Sequence, residues 1–239
     1  MNFHLVRKLS AGSVGAIVTV NDNLDQDFDF LYPGKHEKAL ERWPKLRSFL
    51  VSKLRRPDDD PEEYTDDEKS TIVLMNLIKL FSPDQTIKQK KESKSFKPSG
   101  KEMQNAFMLH VKTIANIDAN VSKRIEKLSQ HNYTLQPYAV IVGPTIYDVS
   151  QSFVYVFKDY KYSVSSPFDA FISVFKCITA LHAVYLPEIM QVWQFIHRAL
   201  WDLPFNPKKE QSYNNVETLL KQFQRYKIQQ PYCLNYTNT

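Results

Sequence analysis

Glycine is scarce in this chain: five residues in 239, Gly12, Gly15, Gly34, Gly100 and Gly143. Neither GxGxxG nor GxxxxGK[ST] can be written with that spacing, which excludes the dinucleotide fingerprint and the P-loop. Cysteine is scarcer still. Cys177 and Cys233 cannot build a disulfide framework and have no CxxC spacing, so a reducing compartment, nucleus or cytoplasm, is expected. The six histidines (His4, His36, His110, His131, His182 and His197) never form HxxxH or HxH, and no cysteine lies at metal-ligand spacing from one. No metal and no cofactor is therefore expected. Long apolar runs are also missing, because Lys176 and His182 interrupt the longest one and Arg198 follows it. A spanning helix and a membrane partner are thereby disfavoured. The opening apolar runs are short and broken by Arg7, Lys8 and Ser10, unlike a secretory signal.

What is present is a hydrophobic content of 43%, with 13% aromatic residues, enough to bury a sizeable core. The formal net charge of +5 hides a segregation of charge. Asp58–Glu68 holds eight carboxylates in eleven residues, and Lys88–Lys97 holds five lysines in ten. Solvated linkers account for both runs; a nucleic-acid contact or a nuclear-import signal is the competing reading of the basic one.

The densest apolar stretch runs from Leu135 to Trp201 and changes period partway through. Tyr138–Val142, Phe153–Phe157 and Tyr160–Val164 read as strands, the last two as a hairpin turning at Lys158 and Asp159; Pro167–Tyr185 and Glu188–Trp201 read as helices. Ser166 and Pro167 make a strong helix start. Upstream, Lys35–Arg56 spaces Leu40, Trp43, Leu46, Leu50 and Leu54 as an amphipathic helix that restarts at Pro44. A second helix, Asp66–Phe81, opens with a capping box of Thr65 and Glu68 and is apolar nearly all round. Ser99 caps a long helix from Lys101 to Gln130, roughly 40 Å at ~1.5 Å per residue. Ala16–Val20 suggests a short strand, Asn21–Asp29 is polar, and Tyr213–Tyr226 reads as a short surface helix before a fraying tail. The expected fold is α+β and mostly helical: a long helix and a small antiparallel hairpin or sheet, packed by two C-terminal helices. Its expected divisions are 1–83, an N-terminal helical region with an acidic loop; 84–100, a basic linker; 101–205, the α+β core; and 206–239, a C-terminal helix and tail.

The run FKPSGKEMQNAFMLHVKTIANIDANVSKRIEKL, followed by LQPYAVIVGP, FVYVF and DAFISVFKCITALHAVYLPEIMQVWQFIHRAL, resembles a module of uncharacterised fish and arthropod proteins thought to derive from mobile elements. The shared framework is a strand ending in VGP, a short hairpin, an FK helix, and a W-x-FI helix. It covers Phe96 to Trp201, a little under half of the chain. Here the usual YP is spread over Tyr185-Leu186-Pro187, and a tryptophan after the linker is missing. The resemblance implies no activity and no catalytic residue set.

Candidate chemistry is sparse. A thiol at Cys177 assisted by His182 or His197 is weighed against a core cysteine, and the core reading is favoured. Asp148, Asp159 and Asp169 are too scattered to define a two-metal site. The positive signals are lysines and aromatics. Lys88, Lys90, Lys91, Lys94 and Lys97, with Lys158 and Lys161, are the candidate nucleic-acid contacts. Tyr155, Tyr160, Tyr162 and Trp193 are the candidate partner anchors. Packing of the hairpin aromatics in a core is the favoured alternative, since the RNP signature is missing. The expected function is a non-enzymatic protein-interaction module with a protein partner. A nucleic-acid-associated protein of mobile-element origin, binding weakly and without sequence preference through the lysine-rich linker and the aromatic hairpin, is the runner-up.

Overall fold

Three short β-rich runs need neighbours for their backbone groups, and the chain supplies a fourth that the apolar pattern conceals. A computed structural model of the chain describes residues 21–54, 64–81, 87–88, 95–157, 160–205 and 211–229. In chain order these form α1 (Asn21–Leu31), α2 (Lys38–Leu54), α3 (Asp66–Leu77) with a 3-10 turn at Ile78–Leu80, β1 (Ile87–Lys88) and β2 (Ser95–Phe96). There follow α4 (Gly100–Phe107), β3 (Met108–Val111), α5 (Asn116–Gln130), β4 (Tyr138–Val142), β5 (Gln151–Phe157) and β6 (Tyr160–Val164). The last elements are α6 (Pro167–Ala180), α7 (Met190–Leu200) and α8 (Asn214–Gln229). The fold is mixed α+β and mostly helical, as expected. No helix among the described residues is long and apolar enough to cross a membrane.

The expected long helix from Lys101 to Gln130 is two helices separated by a strand. Met103, Phe107 and Val111 suit a helical stripe, but Met108–Val111 pairs in parallel with Ala139–Val142, giving β4 a second partner. A buried central strand with one unpaired edge would leave amides unsatisfied, and that cost outweighs the helical spacing. The sheet order is β3-β4-β5-β6, with β4/β5 and β5/β6 antiparallel. α5 is the crossover that parallel β3 and β4 require.

The alternation along the strands explains the layers. Ala139, Ile141, Val154, Val156 and Tyr162 join the larger buried cluster, which contains α6; Tyr138, Val140, Val142 and Tyr155 join a second cluster with Ile117 and Val121 of α5. One face of the sheet thus packs on α6 and the other on α5.

The larger cluster runs from Leu24 to Phe223 and takes residues from both sides of segment 84–100. Trp43 stacks on Phe168 at 4.8 Å, and Phe28 lies 5.9 Å from Phe175. The helices expected as a separate N-terminal region therefore share one core with the C-terminal part. The polar stretch at Asn21–Asp29 is helical, because Leu24 and Phe28 sit one turn apart and face that core, and Asp25 pairs with Lys176 of α6.

Start signals appear where the residues place them. Thr65 and Glu68 form a capping box, Ser99 and Glu102 form another, and the Ser166 hydroxyl accepts from the Asp169 amide ahead of Pro167. α2 does not restart at Pro44 but runs through it. Leu40 of its expected stripe is 57% exposed, while Ala39, Trp43, Leu46, Phe49 and Leu50 are buried. α6 stops at Ala180, short of Tyr185. His182 there takes φ 52°, its amide donates to Thr179 O, and the Ala183 amide donates to Ile178 O, which is a Schellman closure. α8 is more than a surface helix, since Val216, Leu219, Leu220 and Phe223 are buried. The strand at Ala16–Val20, the tail after 229 and the turn at Lys158–Asp159 lie outside the described residues.

Candidate functional site

α5 carries Arg124 in line with the sheet-facing Ile117 and Val121, where it reaches the Tyr138 ring, and Lys123 and Lys127 on the adjoining flank; a Schellman closure ends the helix. Asn132 (φ 59°) donates to Ser129 O, and the Tyr133 amide returns to Leu128 O at 2.9 Å. That closure folds Tyr133 back beside Leu128, the apolar contact such motifs make. Across from it, the Schellman closure after α6 delivers segment 183–188, where the Val184 amide donates to Gln136 Oε1 at 3.2 Å and a turn begins at Pro187.

Between α4, α5 and segment 186–188 these turns leave a cavity of about 220 Å³. Its floor is apolar: Leu109, Leu128 and Leu186, all buried, with Tyr133 and Pro187 beside them. It sits at the seam between the two buried clusters, since Leu109 belongs to one and Leu128 and Leu186 to the other. Its rim is charged. Arg124 Nη2 donates to Glu188 Oε1 at 2.6 Å, and its guanidinium lies 5.8 Å from the centre of the Tyr138 ring. Glu188 is only 8% exposed, so removing Arg124 would leave a buried carboxylate without its counter-ion. Glu102 has two tasks: it caps α4 by accepting from the Ser99 amide at 2.7 Å, and it pairs with Lys127. Burial lowers the affinity of Lys127 for its proton, and the Glu188 carboxylate opposes that shift. Three rim cations thus face two rim carboxylates. Lys123 is the one in excess; it is exposed and pairs with no carboxylate among the described residues.

The residues singled out from sequence lie elsewhere. Tyr155 is 2% exposed, Tyr162 8% and Trp193 1%, so these three belong to the core and offer no surface to a partner. Tyr160 is half-buried. The aromatic face of the hairpin is covered by α5 over Tyr155, leaving Phe153 half-buried with exposed Lys161 at 5.8 Å from its ring. Stacking of bases is closed off by α5 over Tyr155 and by the cluster on the α6 side over Tyr162. Lys97 is exposed ahead of α4, and Lys88 lies in β1; Lys90, Lys91, Lys94 and Lys158 fall outside the described residues. The structure does not bring Lys97 and Lys161 into one described cavity.

Cys177 is buried, and burial pushes its thiol up to about 12, so it is no thiolate nucleophile near neutrality. His197 is 4% exposed and its ring is pushed down to about 4 by burial, with the Arg198 charge adding to the shift; its Nδ1 lies 3.2 Å from the Tyr185 hydroxyl. Among the described residues no group of three His, Cys, Asp or Glu is placed to hold a metal ion. Sequence reasoning missed the rim of the cavity. Its only local trace is Arg124 interrupting the apolar stripe of Ile117, Val121 and Leu128, with Lys123 and Lys127 beside it, which looks like the edge of any solvated face.

A scan against family models finds no match for this chain, and searches of curated proteins and of solved structures find none either.

Proposed function

We propose that the chain is a protein-interaction module of the nucleus or cytoplasm, and that the cavity between α4, α5 and segment 186–188 is where its partner docks. The observation that carries this reading is the cavity's build: an apolar floor of Leu109, Leu128 and Leu186 inside a rim whose charges are fastened in pairs, apart from Lys123. Apolar floors with a polar rim are the anatomy of interface hot spots. The fitting occupant is a protein segment that inserts one bulky apolar side chain and presents an Asp or Glu to Lys123. No step of bond chemistry is assigned to the site.

The test plugs the cavity without emptying the core. Asn105 lines it from α4 and is only half-buried, so Asn105→Trp fills the space, and Lys123→Glu inverts the excess charge. Proteins recovered by affinity purification from nuclease-treated extracts should disappear with both variants while the thermal midpoint stays within a few degrees. Recovery that survives both variants but disappears with nuclease would overturn the reading in favour of nucleic acid held by Lys88, Lys90, Lys91, Lys94 and Lys97. In that event, replacing the five lysines by Gln should flatten the slope of log affinity against log salt by about 0.7–0.9 for each phosphate that is no longer neutralised.

A further inference from the structure

A second cavity, of about 320 Å³, opens at the far end of the α6 layer, where the starts of α3 and α6 meet the start of β5 and the end of β6. Its chemistry is the reverse of the first. Asp67, Glu68 and Asp148 line it, no lysine or arginine does so among the described residues, and the remaining surface is largely hydroxyl. Two helix starts contribute about +0.5 charge each. Against them stand the three lining carboxylates, together with Asp66 and Asp169, both close enough to act on Asp67. Arg47 neutralises Asp66 at 2.8 Å. The balance is still clearly negative.

Acidic groups at helix starts are common caps, so the charge alone does not make a site. Ser152 supplies the independent observation. It is 2% exposed on β5 and lines the cavity, yet its hydroxyl makes no hydrogen bond among the described residues and is not sealed away from the space. Three of the neighbouring hydroxyls are occupied: Thr71 donates to Asp67 O, Ser150 to Val142 O, and Ser166 accepts from Asp169 N, while Ser163 and Ser165 are exposed to solvent. A buried hydroxyl kept open toward a negatively charged cavity is an acceptor awaiting a donor.

We propose that this cavity is a binding site for a primary ammonium group, held between the Asp67 and Asp148 carboxylates and the Ser152 hydroxyl, as the side chain of a lysine on a partner or as a free polyamine. An ammonium carries three N–H donors and no acceptor, which suits a wall of carboxylate and hydroxyl oxygens. A bare metal ion fits less well, since the described carboxylates do not converge as a ligand set and the space exceeds an ion's needs. Partial desolvation of the carboxyl, and after it repulsion from Asp169 and Asp66, raises Asp67 toward its neutral form, and a cation here offsets that shift.

The experiment records amide spectra of the full chain at constant ionic strength while titrating three probes: acetyl-lysine methylamide, spermidine, and acetyl-glutamine methylamide as a neutral control. Saturable shifts are expected at 67–71, 150–152 and 163–166 with a lysine or polyamine probe and not with glutamine. Which probe saturates first distinguishes the two sources. Asp67→Asn with Asp148→Asn should weaken binding by about tenfold or more, and Ser152→Ala by a smaller factor. Both carboxylates are exposed, so the doubly substituted chain keeps its dispersed spectrum elsewhere. Shifts scattered over all surface carboxylates, shifts that persist in the double variant, or no saturable shift with either cation would each overturn the proposal.

Discussion

Replacing Trp193 by alanine probes the point where the fold is tied together. The indole is 1% exposed and meets Phe107 of α4 at 5.1 Å, Phe171 and Phe175 of α6 at 5.8 and 6.0 Å, and Tyr185 at 6.2 Å. An aromatic side chain of this kind buries ~150–250 Å², worth roughly 4–6 kcal/mol at ~25 cal/mol/Å². Alanine keeps a small part of that, and the walls relax only partly around the hole, so the expected cost is about 3–5 kcal/mol. The indole Nε1 has no hydrogen-bond partner among the described residues, so the whole cost is packing. In a chain of 239 residues each kcal/mol moves the midpoint by about 2–4 °C, which places the variant roughly 6–20 °C below the parent. Urea unfolding followed by far-UV circular dichroism is the assay, with the m-value as control. Trp193→Phe keeps a ring parallel to Phe171, now inclined at 5°, and should cost only about 1–2 kcal/mol. A destabilisation below about 1 kcal/mol for alanine, with m unchanged, would refute the burial argument and return Trp193 to the surface as an anchor.

Other perturbations read different links of the same chain. Because one buried cluster draws on both sides of 84–100, cutting an engineered protease site placed between Lys88 and Ser95 should leave two fragments that co-elute and unfold in one transition; separation in native buffer would restore two independently cored regions. His197 binds its proton near pH 4 in the folded chain and near 6.5 when unfolded, so the unfolded state takes up the proton first as pH falls. Stability should therefore be intact above about pH 6.5 and fall by about 3 kcal/mol toward pH 4, a slope that His197→Gln removes and that urea midpoints at pH 7, 5.5 and 4.5 would measure. Gly143→Ala places a methyl group 1.9 Å from the Asp148 carbonyl oxygen and should cost about 3 kcal/mol, read by thermal melting; a neutral result would mean that loop 143–150 moves freely away from β4.

The parts of this fold that were legible in the sequence are those decided within one turn of chain. Thr65 with Glu68, Ser99 with the Glu102 that completes its box, and Ser166 with Pro167 satisfy helix-start amides from three residues away or less, so their spacing carries the answer. The β5/β6 hairpin was legible for the same reason, as aromatic and β-branched residues on adjacent runs. β3 was not. Met103, Phe107 and Val111 satisfy a helical period as well as a strand does, and the deciding partner, Ala139–Val142, lies some thirty residues downstream. Nor could spacing show that Leu40 would face solvent while Ala39 faced Trp201's cluster, because that depends on which helices arrive on each side of α2.

The two cavities follow the same logic at a longer range. Glu102, Arg124 and Glu188 come from three separate segments, and so do Asp67, Asp148 and Ser166; each reads alone as a solvated charge or a cap. The aromatics and lysines of the hairpin and the basic run look like binding groups because they are consecutive in sequence. Burial assigns Tyr155 and Tyr162 to packing, since alternate residues of a strand point to opposite faces and each face of this sheet packs against a helix. A sheet with α5 on one side and α6 on the other keeps its buried aromatics, Tyr155 and Tyr162, from a ligand and leaves the half-buried Phe153 and Tyr160 partly open. Binding in such a fold is displaced to the seams where helix ends and loops fail to close over the layers, and both cavities lie at such seams.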